Sequence, residues 1–216
     1  MLISRRNTRI SGDTLIEVLF AVAIFSLVAV GGLSIMNQGL STAQRSLEIT
    51  LVRQEINSQA ETLRFLNASY IAAYRPGTTI ADYPDTTPAG QWAIMLLLIP
   101  TTGVSNFGLT STGACPSLAD HPGSFILNTH SAKFVSLSAS NFEKAETFAK
   151  VNYNIAGNVS LVDGVWIEAI RSIMPINSNQ DNADYIDFHI RACWDSPGQS
   201  VPVTLGTIVR LYEPRG

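Results

Sequence analysis

From Val18 to Gln44 the chain carries no charged side chain. At about 1.5 Å per residue this run reaches about 40 Å as a helix, more than the hydrocarbon core of about 30 Å, so it reads as a membrane span. Arg5, Arg6 and Arg9 lie upstream with no acid among residues 1–12. Under the positive-inside rule they hold the N-terminus in the cytoplasm and send the remainder outward. The apolar run also explains why only 14% of residues are charged, against about a quarter in ordinary globular chains. Formal net charge is -3, with 14 basic and 17 acidic side chains. No basic stripe suits a phosphate backbone, which argues against nucleic acid as a partner. Apolar periodic segments recur along the chain, which argues against disorder.

A secretory signal places its small-residue cleavage site after the apolar region, whereas Gly12 comes before it. Ser11-Gly12-Asp13-Thr14-Leu15-Ile16-Glu17-Val18-Leu19-Phe20-Ala21 closely resembles the prepilin cleavage motif of the type IV pilin and pseudopilin family. The match is short and specific, and covers roughly the first quarter of the chain in detail. The resemblance implies cleavage between Gly12 and Asp13 by a membrane peptidase, N-methylation of the new Asp13 amine, and retention of the apolar helix as an anchor. Asp13 departs from the phenylalanine or methionine usual at the first mature position.

A carboxylate within an apolar helix costs about 2.5–3.5 kcal/mol at mid-bilayer and marks function by default. Glu17 has a plainer alternative: one turn into the mature helix, it can reach the headgroups and be favoured by the helix N-terminal dipole. The resemblance implies that Glu17 pairs with the N-terminal ammonium of a neighbouring subunit during assembly. Gly31 and Gly32 each cost up to about 1 kcal/mol within a helix. They suit either close packing against another helix or a local melt.

Ile49, Val52, Ile56, Leu63, Leu66 and Tyr70 recur at helical steps, with Gln59 as a polar interruption and Arg45, Glu48, Glu55 and Glu61 facing elsewhere. One helix over 13–74 is expected, ended by Pro76-Gly77 and packed by its second half on a head spanning 75–216. A coiled-coil stalk is the alternative. Trp92 to Ile99, eight apolar residues closed by Pro100, reads as a buried strand. Phe125 to Leu127 reads as a short strand. Lys133 to Lys150 contains all three lysines and reads as a solvated, mostly helical face. Val159 to Val162 and Val165 to Ile170 flank Asp163-Gly164 as a two-residue hairpin. Tyr185 to Trp194 and Val203 to Tyr212 complete an antiparallel sheet of about four strands, giving an α+β fold of the pilin kind.

No HExxH, GxSxG, P-loop or GxGxxG occurs, and His121, His130 and His189 are scattered. Neither catalysis nor a cofactor or metal is expected. The loop from Asn177 to Asp184 alternates oxygen ligands but lacks the turn glycine and final glutamate of a calcium loop, and reads as a polar hairpin loop. Cys115 and Cys193 lie in no metal-finger spacing. An extracytoplasmic location permits a disulfide between them, with two buried thiols as the alternative; in the resembled family a bridge often ties the last strands to a surface loop. The expectation is a structural subunit, of minor-pilin type, in a type IV pilus-like filament. Its expected partners are other pilin subunits, the prepilin peptidase, the inner-membrane assembly platform and, before assembly, membrane lipid. The alternatives are a type II secretion pseudopilin and a single-pass anchored ectodomain that binds a ligand without polymerising.

Overall fold

The computed structural model describes residues 13–99, 113–171 and 185–214. Two compact units, Met1–Ser46 and Leu47–Gly216, are threaded by one helix, α1 (Asp13–Ala73). In the first unit α1 is long and apolar enough to cross a membrane. It runs unbroken through Gly31 and Gly32, and no atom lies within 4 Å of where a Cβ would stand on either. Packing within the chain therefore does not require these glycines. The hydroxyls of Ser26 and Thr42 donate to the carbonyls of Val22 and Gln38 at 2.7 and 3.0 Å, satisfying their donors inside the helix as an apolar solvent demands.

In the second unit, Val52, Ile56, Leu63, Leu66 and Tyr70 of α1 are buried as their spacing predicts. The helix stops at Ala73, just before Pro76-Gly77. Glu48 departs from expectation. It does not face away but is buried, and its carboxylate accepts from Trp194 Nε1 at 3.2 Å and Ser196 Oγ at 2.6 Å. A buried carboxylate is tolerable here because polar donors meet it.

The apolar run Trp92 to Ile99 is not a strand: it lies mostly in α2 (Pro88–Leu98). Thr87 caps this helix by accepting from Gly90 N, and Pro88 occupies the first turn. Ala, Met and Leu predominate and only Ile94 is β-branched, which suits a helix. Gly90 also admits no side chain, since a Cβ would stand 1.9 Å from the Pro84 carbonyl oxygen.

The main sheet comprises β1 (Phe125–Asn128), β2 (Lys133–Ser136), β6 (Val165–Arg171), β7 (Tyr185–Trp194) and β8 (Val203–Tyr212), in the order β2-β1-β6-β7-β8 and antiparallel throughout. It has five strands rather than about four, and the α+β architecture is as expected. A smaller sheet has the order β3-β5-β4, from β3 (Phe142–Glu143), β4 (Lys150–Tyr153) and β5 (Val159–Asp163). The stretch Lys133 to Lys150 is therefore not helical: strand pairing takes both its ends and β3 within it.

The Asp163-Gly164 hairpin is also corrected. β5 and β6 do not pair with each other but belong to different sheets, and Gly164 is the corner between them. Its φ is +61°, and a Cβ there would lie 2.3 Å from the Cys193 carbonyl oxygen. Glycine meets both demands, the positive φ and the close approach of another backbone. The core joins α1, α2 and the inner sheet face, with Phe188 between Trp92 at 5.5 Å and Phe125 at 6.4 Å.

Candidate functional site

Between Leu15 and Leu40 the large apolar side chains of α1 are 53–76% exposed. Contiguous apolar surface on this scale marks a membrane or protein contact. Glu17 shares a helical face with Ile16, Phe20, Ala21 and Ile24, and is the last charged residue before the uncharged run. Asp13 opens α1. Gly12, the other residue of the expected cleavage site, lies outside the described residues.

The head carries a second candidate on the outer face of the main sheet. Ile186, Phe188, Ile190 and Ala192 of β7 are at most 1% exposed and face the core. Strand alternation therefore puts Asp187, His189, Arg191 and Cys193 on the opposite face. A segment preceding β1 is fastened over part of that face at two points. Cys115 and Cys193 form a disulfide with Cα atoms 5.6 Å apart. Six residues on, His121 Nδ1 meets Glu168 Oε1 at 2.6 Å with both side chains buried, and the His121 ring stacks on Trp166 at 5.3 Å. Within the same segment Asp120 accepts from Ser117 N and Oγ, and these bonds, side chain first, hold its carboxyl below the ordinary range.

Beside this segment a cavity of about 390 Å³ opens on the outer face, lined by Pro116, Trp166, His189, Arg191, Thr204 and Ile208 among others. Burial, aided by the adjacent Arg191 charge, keeps His189 below the usual imidazole range. Arg210 donates to both carboxylate oxygens of Asp187 at 2.7 Å and holds that acid below its ordinary range.

Of the residues singled out from the sequence, the fold unites Cys115 with Cys193; it does not bring the three histidines together into one cluster. His130 stacks on Tyr153 at 4.0 Å, away from the pairing of His121 with Glu168. Among the described residues, no group of three or more His, Cys, Asp or Glu is arranged to hold a metal ion. The Asn177–Asp184 loop lies outside the described residues. The partnership of His121 with Glu168 has no local signal, because 47 positions separate them. Glu48 offered one hint, falling a helical step before Val52 on the buried stripe. No protein-family model matches the chain, and neither does any curated protein or solved structure.

Proposed function

We propose that the chain is a structural subunit, of minor-pilin type, in a type IV pilus-like filament. The observation that carries this reading is a prepilin-like motif immediately before an apolar helix whose large side chains stand exposed. Such a helix needs apolar surroundings: lipid before assembly, and the helices of other subunits afterwards. In this reading the prepilin peptidase cuts between Gly12 and Asp13, the Asp13 amine is methylated, and the assembly platform moves the subunit into the filament. Glu17 then neutralises a neighbour's ammonium within the filament core. The head provides surface and contacts rather than catalysis. The Cys115–Cys193 disulfide suits such an extracytoplasmic head.

Mass spectrometry of the membrane-extracted protein, combined with immunogold labelling of surface filaments, tests the proposal. The expected result is an N-terminus at Asp13 and label along or at the tips of filaments. An intact Met1 on protein in filaments, or label confined to the cell envelope, overturns it.

A further inference from the structure

Directly opposed residues of neighbouring strands share a face, so two rows cross the outer face of the main sheet. One runs Trp166–Arg191–Gly206 and the next Glu168–His189–Ile208, each from β6 through β7 to β8. The cavity of about 390 Å³ lies over these rows, lined by every member but Glu168.

Gly206 makes the space. Its row carries a tryptophan and an arginine, whereas a Cβ at 206 would stand 3.4 Å from Arg191 Cγ and 3.0 Å from Ile190 O. A side chain there would project into the cavity, and a glycine within a strand marks a place that another group approaches closely. The facing wall is fixed in advance. Pro116 follows Cys115, which is bonded to Cys193, and His121 of the same segment is bound to Glu168. A preformed concavity of this volume, with apolar walls and a few convergent polar groups, suits a small organic molecule.

Arg191 is the single formal charge lining the cavity among the described residues. Burial lowers its pKa, yet a guanidinium stays charged at neutral pH. Partly removed from water, it gains from a planar anion that its fork can grip at two oxygens. The nearby acids do not fill that place. Glu168 is 6% exposed, lies outside the lining and is bound through Oε1 to His121, while Asp187 is closed on Arg210. His189, held below the usual imidazole range by burial and by Arg191, adds no second positive charge at pH 7. One positive charge suits a carboxylate better than a phosphate group bearing nearly two negative ones. Trp166, 5% exposed, has an indole N–H without a hydrogen-bond partner. A carboxylate, an acceptor only, supplies what such a donor lacks. Pro116, Trp166 and Ile208 leave the rest of the wall apolar.

We infer that the cavity binds a small carboxylic acid with a compact apolar body, its carboxylate on Arg191 and its body in the space that Gly206 leaves open. The head is then a ligand carrier as well as a structural part, whether or not the chain enters a filament.

The test uses the full chain in detergent micelles, so it is independent of cleavage and of filament assembly. The probes are phenylacetate and its uncharged counterpart phenylacetamide. Phenylacetate is expected to move the Trp166 indole N–H resonance saturably, leaving those of Trp92 and Trp194 in place; Trp166→Phe assigns the signal. Phenylacetamide should bind at least about tenfold more weakly, the worth of a charge-assisted hydrogen bond. Arg191→Gln should erase that preference. Gly206→Leu should abolish binding of both probes, and in the same detergent it also reports their uptake by micelles alone. If Gly206→Leu melts below wild type, Arg191→Gln and the wild-type comparison of acid with amide carry the test. Equal binding of the two probes by wild type, an unmoved Trp166 resonance, a preference that persists in Arg191→Gln, or undiminished binding by a folded Gly206→Leu overturns the proposal.

Discussion

Gln59 of α1 stands in for a neighbouring strand at Leu127 of β1: its Oε1 accepts the Leu127 N–H and its Nε2 donates to the Leu127 carbonyl, each at 3.0 Å. β1 pairs with β6 at Phe125, and the helix side chain serves the buried rung at Leu127 that β6 does not pair. The side chain is fully buried. Gln59→Leu should strand two buried main-chain groups, each costing about 1–3 kcal/mol. Urea unfolding of the detergent-solubilised protein measures the loss, which should exceed that of Gln54→Leu, the same change at an exposed position of the same helix.

One turn before Gln59, burial holds Glu55 above the ordinary carboxylate range, opposed in part by the hydrogen bond from Gln59 at 3.1 Å. Because its folded pKa is raised, the folded state binds protons more readily than the unfolded chain there. Stability is therefore lost as pH rises from the ordinary value of about 4.3 through the raised one. Glu55→Gln should be more stable than wild type at pH 7 and lose that advantage near pH 3.5. Paired denaturation curves at the two pH values measure the difference.

The disulfide joins positions separated by 78 residues, for which chain entropy allows up to about 4.5 kcal/mol of stabilisation. Thiol counting in denaturant without reductant should find no free thiols, rising to two after reduction. The reduced protein should melt at lower temperature. Cys115→Ser, Cys193→Ser should match it within error.

Gly164 and Gly157 both have positive φ, at +61° and +75°, yet only Gly164 faces a clash. Gly157→Ala should cost about 1–2 kcal/mol, the price of a left-handed backbone. Gly164→Ala must also displace the Cys193 carbonyl, so it should cost clearly more and broaden the signals of β3, β5 and β6. Thermal melts and amide spectra of the two variants make the comparison.

Glu17→Ala should insert and be cleaved, since removing a carboxylate lowers the cost of the membrane state. On the filament reading proposed above, entry into filaments should fall, because leaving a buried partner charge unpaired costs about 3–5 kcal/mol. The Asp13→Ala, Glu17→Ala double variant should be worse than either single change. Sheared filament fractions report incorporation; wild-type levels of Glu17→Ala there contradict the pairing role.

The sequence by itself determined the elements whose signal is local and repeated. The uncharged run from Val18, the buried stripe from Val52 to Tyr70, the stop before Pro76 and the last two strands all follow from periodicity or from breakers within a few residues. The helix over Pro88–Leu98 was locally legible as well, in the Thr87 cap and the scarcity of β-branched side chains, although apolarity and length alone suggest a strand. Only the tertiary structure decided that Gly164 turns a corner, because a glycine after aspartate suits a hairpin equally well until a second sheet and the Cys193 carbonyl fill the space around it. It likewise decided the burial of Glu48, through donors at Trp194 and Ser196 nearly 150 positions away, and the pairing of His121 with Glu168. Local periodicity records which way a side chain points along its own element. Whether a polar group can be buried there depends on partners that arrive from distant segments, and no window of sequence contains them.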